Sequence, residues 1–429
     1  HDGRSERGYF GRSINLAISH RGLSALNRLN LDSFVMENAV PMGARMIHST
    51  DGIQHPIQYD PDGRCINSIE RAALNNFLLS HAESLPNVKL HFNHKLVSMN
   101  VDLDKPELTF EVPRTEQEQK SIDFRTYKFE LVIACDGAYS TVRSLLMRSM
   151  RLNFSQTYIE HGYMEFRIPP IQKDQGNNLY AMKENYLHIW PRGQFMMIAL
   201  PNKDASFTCT LFMPMLMFNG LKKEPQKGIA FFEKYFADSI PLIGAANILS
   251  TFKTMRASPM VSIKCNPYHY KNKVVIMGDA AHAMVPFYGQ GMNCGFEDCL
   301  VFEEILDEMY NGNFELSLRE FTRHRCPNGQ AMSELALYNY IEMRDLVNSK
   351  VFLIRKALDQ LLYRMFPKTW ISLYTMVTFT RIPIRECVER RERQYRLLAT
   401  TVKATAFTGA ICVALAAFKR RKFLASLMI

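Results

Sequence analysis

A short string that ends in a glycine and a carboxylate is the strongest chemical signal in this chain of 429 residues. The apolar run 274–277 is followed by Gly278 and Asp279, and the glycine-rich segment 289–293 then begins a predicted helix. A carboxylate at the carboxyl end of a buried strand can bind sugar-like hydroxyls. The amino terminus of the following helix stabilises negative charge. A flavin presents both features, with hydroxyls on its ribityl chain and negative charge on its reduced ring.

A second string of the same kind occurs earlier in the chain. The apolar residues 131–135 lead to Asp136 and Gly137, and Arg143 follows at helical spacing. Asp136 can bind a hydroxyl, Gly137 permits a sharp turn, and Arg143 can face a phosphate. Either string alone also fits a buried strand followed by a capping aspartate. Two such strings, with a predicted antiparallel sheet between them, favour a flavin site.

The hydrophobic pattern predicts the elements that must position these strings. Helices are predicted over 19–31 and 71–82, a strand over 89–99, and hairpins over 45–59 and 101–128. Alternating apolar runs between 158 and 215 predict an antiparallel sheet. From 296 onward the chain is predicted to be mostly helical.

Composition limits the possible partners. Hydrophobic residues make up 47% and charged residues 22% of the chain, as in a globular protein. The chain has a net charge of +10, and its basic residues cluster most densely in the last forty positions. Because no nucleic-acid motif is present, this positive charge favours an anionic membrane surface as the partner. Nine cysteines without a CxxC pair favour a reducing compartment over a disulfide framework. His91 and His94 have no further ligands nearby, so no metal site is predicted.

The two ends of the chain carry further expectations. A strand followed by GxGxxG and a helix, the usual opening of a dinucleotide-binding fold, does not occur in this sequence. The cofactor is then held in another way, or the first βαβ unit lies upstream of His1, and we favour the second. In that case this chain alone would bind FAD poorly. Residues 397–429 are predicted to form a membrane anchor, with an interfacial helix or a packed soluble helix as the alternatives.

Several longer strings carry a resemblance to a known family. They span residues 11–17, 45–49, 161–165, 186–192, 338–344 and 373–379. With the two Gly-Asp-type motifs, the chain resembles the single-component flavin aromatic hydroxylases of the p-hydroxybenzoate hydroxylase type, and within them the kynurenine hydroxylases. The resemblance covers the chain from Gly11 to about Phe379.

The resemblance implies an α/β (α+β) fold. An FAD-binding doubly wound sheet would carry an inserted antiparallel substrate sheet and a C-terminal helical region. The implied divisions are an FAD-binding part over 1–150, whose hairpin 41–63 joins the substrate domain, then a substrate domain over 151–260, a second FAD-binding part over 261–325, C-terminal helices over 326–396 and the anchor over 397–429.

The resemblance also implies a function. The chain would be an FAD- and NADPH-dependent monooxygenase that converts L-kynurenine to 3-hydroxykynurenine with molecular oxygen, through a flavin C4a-hydroperoxide. It would face the cytosol on the mitochondrial outer membrane. Two alternatives are a flavin monooxygenase of another aromatic substrate and a cofactor-poor, membrane-associated fragment or pseudoenzyme.

Site residues follow from the resemblance and from the motifs. The cofactor would be bound by Ala17, Arg71, Leu96, Asp136, Asp279, Met292 and Asn293. The amino-acid end of the substrate would be bound by Arg45, Tyr59, Asn339 and Tyr374, since an α-amino acid needs a guanidinium for its carboxylate. Pro286, Phe287 and Tyr288, with the sheet around Trp190 and Phe212, would form an apolar wall. No side chain is predicted to act as a catalyst, and His282 is predicted to pack behind the flavin.

Overall fold

The computed structural model describes residues 15–113, 122–172, 178–344, 350–367 and 369–401, together with 404 and 408. The strands are β1 (Leu16–Ile18), β2 (Val40–Met42), β3 (Ala44–His48), β4 (Gln54–Gln58), β5 (Ile66–Ile69), β6 (Lys95–Asn100), β7 (Glu107–Pro113), β8 (Ile122–Lys128), β9 (Val132–Ala134), β10 (Asn153–Ile168), β11 (Ile171–Gln172), β12 (Asn178–Leu179), β13 (Tyr186–Arg192), β14 (Phe195–Pro201), β15 (Phe207–Pro214), β16 (Ser258–Asn266), β17 (His269–Tyr270) and β18 (Val274–Ile276).

The α-helices are α1 (His20–Arg28), α2 (Asp32–Asn38), α3 (Arg71–Ser84), α4 (Thr141–Leu146), α5 (Met215–Lys223), α6 (Gln226–Tyr235), α7 (Ile240–Ile243), α8 (Ala245–Thr254), α9 (Asp279–His282), α10 (Gly291–Glu303), α11 (Phe314–Arg344), α12 (Lys350–Met365) and α13 (Leu373–Phe379). A further helix covers 384–401. Short 3-10 turns at Ala237–Ser239 and Pro286–Tyr288 and a π-helix at Glu304–Met309 complete the helical elements.

A seven-stranded sheet separates the two main packing regions. Its order is β16-β10-β15-β14-β13-β3-β4, and β13 pairs with β3 in parallel while the other neighbours are antiparallel. The predicted hairpin over 45–59 is therefore present as β3 and β4, at one edge of this sheet. The predicted antiparallel sheet between 158 and 215 is confirmed. The domain boundary expected at residue 260 falls inside β16. Because β16 pairs with β10, this strand is part of the seven-stranded sheet.

The two faces of this sheet have different neighbours because successive side chains of a strand point in opposite directions. Met197 and Ala199 of β14 pack with aromatic side chains of α5–α8. Met196 and Ile198 of the same strand line a cavity on the opposite face. The strand is buried on both sides, which explains its uninterrupted apolar sequence.

A second sheet carries the two motif strands. β9 and β18 pair in parallel, with Ile276 opposite Ala134, and β17 extends the sheet on the far side of β18. Parallel strands have their carboxyl ends at the same edge, so Asp136 and Asp279 follow two neighbouring strands at one edge. This is the arrangement that the two sequence strings indicate.

Expectations for the remaining segments are met in part. The predicted helices at 19–31 and 71–82 correspond to α1 and α3, and the hairpin at 101–128 corresponds to β7 and β8, with 114–121 outside the described residues. The strand predicted over 89–99 begins later, at Lys95, because residues 89–94 adopt turns.

The predicted membrane anchor lies mostly outside the described residues. Of 397–429, the structure describes 397–401, 404 and 408. Within the described part of the chain, no helix has the length and apolar character needed to cross a bilayer.

Helix α1 packs closely on α10 at Gly22. A Cβ added there would lie 2.5 Å from Oδ1 of Asn293. Asn293 is fully buried and cannot easily move, because its Oδ1 accepts from the Ser19 N–H and its Nδ2 donates to the carbonyls of Ala17 and Gly289. Glycine at position 22 therefore allows the close approach of the two helices.

We expect Gly22→Ala to lower the free energy of unfolding by about 1–3 kcal/mol, because the overpacking outweighs the gain in helix propensity. Gly43→Ala is the matched control, since nothing lies within 4 Å of an added Cβ there. Urea unfolding of both variants checks the difference, and an equal effect at the two positions would contradict the packing argument.

Two buried histidines connect β3 to β13 on the helix-covered face of the large sheet. Nε2 of His48 lies 2.8 Å from Nδ1 of His188, and Nε2 of His188 lies 2.8 Å from the Lys183 carbonyl. Nδ1 of His48 lies 3.1 Å from a carboxylate oxygen of Asp238, which also accepts from the Trp190 indole. Burial lowers the pKa of His188 to about 4.

This shift predicts a loss of stability in acid. The unfolded chain protonates His188 near its ordinary pKa of 6.5, and the folded protein only near 4, so the contribution is complete above pH 6.5 and is lost as the pH falls toward 4. Between pH 7 and pH 5 we expect His188 to account for about 2 kcal/mol of lost unfolding free energy. In urea unfolding at the two pH values, His188→Gln should lose that much less than the wild type. The exposed His91→Gln should behave as wild type, and an unchanged loss in His188→Gln would refute the assignment.

Candidate cofactor and substrate site

A cavity of about 710 Å³ opens at the carboxyl ends of β9 and β18, a volume within the range of about 300–1,000 Å³ that cofactor sites occupy. It extends from there along the inner face of β14 to the hairpin β3–β4. Sequence-predicted site residues that line it are Ala17, Arg45, Tyr59, Arg71, Asp279, Pro286, Phe287, Tyr288, Met292 and Tyr374.

Glycines expose backbone along one wall of the cavity. Gly278 and Gly289 have φ angles of 57° and 67°, in the left-handed region that favours glycine. Gly295 of α10 packs against Gly278, and an added Cβ at Gly295 would lie in ordinary van der Waals contact with the Gly278 Cα, at 3.7 Å. Helix α10 begins at Gly291, which also lines the cavity, so the partial positive charge of the helix amino terminus lies beside the cavity.

The two motif aspartates occupy different positions at this edge. Asp279 is the first residue of α9 and lines the cavity. Asp136 is exposed, and its carboxylate accepts a hydrogen bond of 3.0 Å from the Val142 N–H, which caps α4. Its neighbours Cys135 and Gly137 line the cavity. Asp279 is thus in place to hold a hydroxyl, while part of the Asp136 carboxylate is engaged within the protein.

Three other predicted cofactor residues differ in position. Arg71 begins α3 on the cavity wall, where a guanidinium suits a phosphate. Leu96 lies on β6 and packs against the hydrophobic core around β9 and β18. Asn293 is fully buried below the cavity and holds the carbonyls of Ala17 and Gly289, both of which line it. The direct flavin contacts of Leu96 and Asn293 stay predictions.

The prediction that Arg143 faces a phosphate is wrong, because its guanidinium is used within the protein. The side chain is buried, and it donates to the carbonyls of Ala280 and Ala138 at 2.6 and 2.7 Å. Its guanidinium carbon lies 4.7 Å from the centroid of the Phe154 ring. Arg143 therefore links the two loops that follow β9 and β18.

A buried network of charges supports the Gly278 loop from behind. Asp298 of α10 accepts hydrogen bonds from the Gly278 N–H at 2.9 Å, from His282 at 2.6 Å and from Arg325 at 2.6 Å. Arg325 also binds Glu297, which in turn binds Arg21 at 2.6 Å. The network fixes the backbone next to Asp279. His282 is buried within it, which agrees with a packing role behind the cofactor.

These electrostatic contacts shift the pKa values of the network. Burial alone would raise the pKa of Asp298, but His282 and Arg325 bring it well below its usual range. Burial alone would lower the pKa of His282, but the Asp298 carboxylate raises it. Asp298 is consequently ionised and holds His282 in its protonated form over a wider pH range than in water.

The residues on this wall fit an FAD. The glycine backbone leaves room for a flat ring system, Asp279 suits ribityl hydroxyls, Arg71 suits a phosphate, and the start of α10 suits an electron-rich ring. The apolar part of the cavity lies beyond this wall, along β14.

Arg45, Tyr59 and Tyr374 meet at the far end of the cavity. The rings of Tyr59 and Tyr374 stack with centroids 5.3 Å apart and planes within 10°. The Arg45 guanidinium carbon lies 5.4 Å and 5.1 Å from their respective centroids. Burial raises the pKa of both tyrosines, although Arg45 opposes that effect. Both hydroxyls are therefore neutral at ordinary pH and leave the charge of Arg45 available for an anion.

A second, smaller cavity of about 180 Å³ continues from this point. Arg45, Tyr59, Tyr288 and Tyr374 line both cavities, and Asn339 and Glu342 of α11 line the second one. Asn339 donates to the Phe287 carbonyl at 2.6 Å. Among the described residues, no hydrogen-bond partner contacts Nε of Arg45, which is buried. All four predicted substrate residues therefore line this second cavity.

The predicted apolar wall is present in part. Phe287 packs on Phe212 at 4.9 Å between ring centroids and stacks on Tyr340 at 4.0 Å. The prediction that Trp190 belongs to this wall is wrong. Its side chain points to the opposite face of the sheet and stacks on His48, with 3.9 Å between ring centroids. Its neighbour Ile189 lies on the site face.

Sequence reasoning missed Glu342 and the charge network. Glu342 follows Asn339 by one helical turn, and this spacing on one face of α11 was the available signal. Arg21, Glu297 and Arg325 lie in helices, where isolated charges more often indicate a solvated face.

Comparison with known proteins agrees with this geometry. Residues 16–336 match the family described as an FAD binding domain. The chain is similar to kynurenine 3-monooxygenase of Anopheles gambiae, with 45% identity over 94% of this chain and 81% of that protein. It is also similar to kynurenine 3-monooxygenase of Sus scrofa, with 46% identity over 91% of this chain and 80% of that protein.

A solved structure shares the fold. The tetrameric form of 2-methyl-3-hydroxypyridine-5-carboxylic acid oxygenase superposes with a TM-score of 0.60 at 18% identity. The match covers 80% of this chain and 84% of that one. The predicted flavin-hydroxylase architecture, with its inserted antiparallel sheet, is therefore confirmed.

Proposed function

Because the chain belongs to the kynurenine 3-monooxygenase family, we propose that it hydroxylates L-kynurenine to 3-hydroxykynurenine, with FAD as bound cofactor, NADPH as reductant and molecular oxygen as co-substrate. The observation that carries the proposal is the position of Arg45. Its side chain stands with Tyr59 and Tyr374 at the end of the cavity opposite the glycine wall. An aromatic amino acid placed between the two ends would have its carboxylate on Arg45 and its ring toward the cofactor.

The second cavity supports this orientation of the substrate. Arg45 has an unpartnered Nε for the carboxylate, and Glu342 supplies a negative charge on the same wall for an ammonium group. The ring would then lie against the apolar side chains of the first cavity, which include Met196, Phe212 and Leu187. A simple aromatic acid would have no group to match Glu342.

The chain's own residues hold the ring and exclude water. When bound, FAD supplies the reduction of oxygen and the transfer of one oxygen atom to the substrate. Phe287 and Phe212 pack together beside the cavity, and Pro286 lines it next to them. Their apolar surfaces keep solvent from the space between ring and cofactor, which favours oxygen transfer over side reactions.

The test has two stages that report separately on cofactor and substrate. The purified chain is mixed with FAD, and bound flavin is measured by absorbance after gel filtration. NADPH oxidation is then followed with L-kynurenine and with 2-aminoacetophenone, which has the ring but lacks the amino-acid end, and products are identified by mass spectrometry. Because the chain alone is expected to bind FAD poorly, we expect detectable flavin at less than one per chain, and hydroxylated product from L-kynurenine only, formed when FAD is in excess. Absence of bound flavin would contradict the cofactor, and equal turnover of both compounds would contradict the substrate.

We also propose that residues 397–429 attach the protein to the cytosolic side of the mitochondrial outer membrane. The support is the uncharged run 404–418 between basic residues, together with the net charge of +10. Deleting 397–429 should move the protein to the soluble fraction of a cell lysate. Continued sedimentation with membranes would contradict the proposed attachment.

A further inference from the structure

A buried carboxylate lies next to Tyr59 and Tyr374, the two tyrosines that contact Arg45 at the far end of the cavity. Asp60 follows Tyr59 in sequence and is 2% exposed. One carboxylate oxygen accepts from Nε of Arg64 and from the Asp62 N–H, both at 2.9 Å. The other accepts from the second nitrogen of Arg64 at 2.9 Å and from the Thr375 hydroxyl at 3.0 Å. All four contacts are hydrogen bonds to a carboxylate, and the two from the Arg64 guanidinium form a bidentate pair, the stronger class.

The contact with Thr375 joins distant parts of the chain. Thr375 follows Tyr374 in α13 and is also buried. Its hydroxyl oxygen accepts a hydrogen bond of 2.9 Å from the Ser372 hydroxyl. The single proton of the Thr375 hydroxyl is therefore donated to Asp60. The pair Asp60–Thr375 thus connects the residues that follow Tyr59 and Tyr374, whose rings stack over one another.

We propose that Asp60 is a positioning residue that, through Thr375, fixes the spacing of Tyr59 and Tyr374 and so the shape of the pocket around Arg45. Two rings held only by stacking can slide over one another at small cost. The Asp60–Thr375 hydrogen bond, anchored on one side by Arg64 and on the other by the start of α13, restricts that sliding. The carboxylate of the substrate then meets a preformed site, which lowers the cost of binding.

The same loop is tied to the outer wall of the second cavity. Asp62 accepts a hydrogen bond of 2.5 Å from the Tyr363 hydroxyl of α12, and Tyr363 lines that cavity. The Arg64 guanidinium lies 5.4 Å above the Phe379 ring at the end of α13. The loop between β4 and β5 is therefore held to both helices that close the substrate end.

The inference rests on the proposed function for its effect on kynurenine, so the experiment separates the two. Thr375→Val replaces the hydroxyl by a methyl group of similar size. Thr375→Ser retains the hydroxyl and should behave as wild type. Asp60→Asn, which keeps the shape and removes the charge, is the second variant in case Thr375→Val does not fold.

Two measurements are made on the FAD-loaded protein. In Thr375→Val we expect hydrogen–deuterium exchange to rise about tenfold in both peptides, 54–64 and 369–379, and the KM for L-kynurenine to rise about tenfold. The kcat and the KM for NADPH should stay within about twofold, a split that a general loss of structure would not give. Faster exchange in only one peptide, or a fall in kcat with unchanged KM, would overturn the positioning role. If the wild type does not hydroxylate kynurenine, the proposed function fails, while the exchange data still decide whether Asp60 couples the two segments.

Discussion

Arg45→Met is expected to lower kcat/KM for L-kynurenine roughly 100-fold, because a hydrogen-bonded pair of guanidinium and carboxylate at a desolvated site contributes about 3 kcal/mol. Most of the loss should be in KM. The unfolding free energy of the ligand-free protein should change by less than about 1 kcal/mol, because the loss of the contacts with the two tyrosine rings is offset by the removal of a buried guanidinium whose Nε has no partner among the described residues. Steady-state kinetics and urea unfolding on the same preparation measure the two quantities.

Two further variants make the comparison specific. Arg45→Lys keeps the charge but loses the planar fork, so we expect an intermediate loss of kcat/KM. Arg167→Met removes an arginine whose side chain is 51% exposed and pairs with Asp204, and it should leave kinetics unchanged. A marked loss of stability in Arg45→Met, with normal affinity for kynurenine, would show that Arg45 serves the fold instead of the substrate.

Asp298→Asn is expected to lower the unfolding free energy by about 3–5 kcal/mol, because it removes the shared acceptor from a buried ion network. Asp298 binds Arg325, His282 and the Gly278 backbone at once, and an amide in its place would direct N–H groups at other donors. The variant should also retain less FAD, since Gly278 precedes the cavity residue Asp279. Chemical unfolding and the flavin content after gel filtration test both effects.

The pH dependence provides an independent check on this network. The pKa of His282 is raised, so its contribution to stability is complete below its unfolded pKa of 6.5 and is lost as the pH rises through the folded value. In Asp298→Asn this loss on the alkaline side should disappear. Glu334→Gln removes a surface partner of Lys264 that is 70% exposed, and it should cost less than 1 kcal/mol. If Asp298→Asn and Glu334→Gln lowered the unfolding free energy equally, Asp298 would not hold the network together.

The parts of the fold that follow from local pattern are those the sequence predicted well. Apolar runs followed by Asp136 and Asp279 correctly indicated two strands that end at one edge, because strand termination and turn formation depend on neighbouring residues. The face on which Trp190 packs could not be obtained in this way. Its strand is buried on both sides, and only the position of α5–α8 decides which face meets the cavity.

The candidate site shows the same difference between residues that could be predicted and residues whose role depends on tertiary contacts. Arg45, Asn339 and Tyr374 come from three elements and Tyr59 from the loop after β4, and their predicted grouping depended on the resemblance to a known family. Asp60 and Glu342 were missed because their importance arises from partners far away in sequence, such as Thr375 for Asp60. Buried charges of this kind are indistinguishable in sequence from solvated ones until the tertiary contacts are known.

The short hairpin formed by β3 and β4 has a consequence for how the enzyme's selectivity can change. It contributes Arg45, with Tyr59 directly after it, yet it joins the large sheet through a single parallel pairing with β13. With Arg45 in its proposed role, exchanging this one segment would change recognition of the amino-acid end of the substrate, while every residue around Gly278 and Asp279 is retained. Substrate choice and redox chemistry are thereby separable for laboratory redesign.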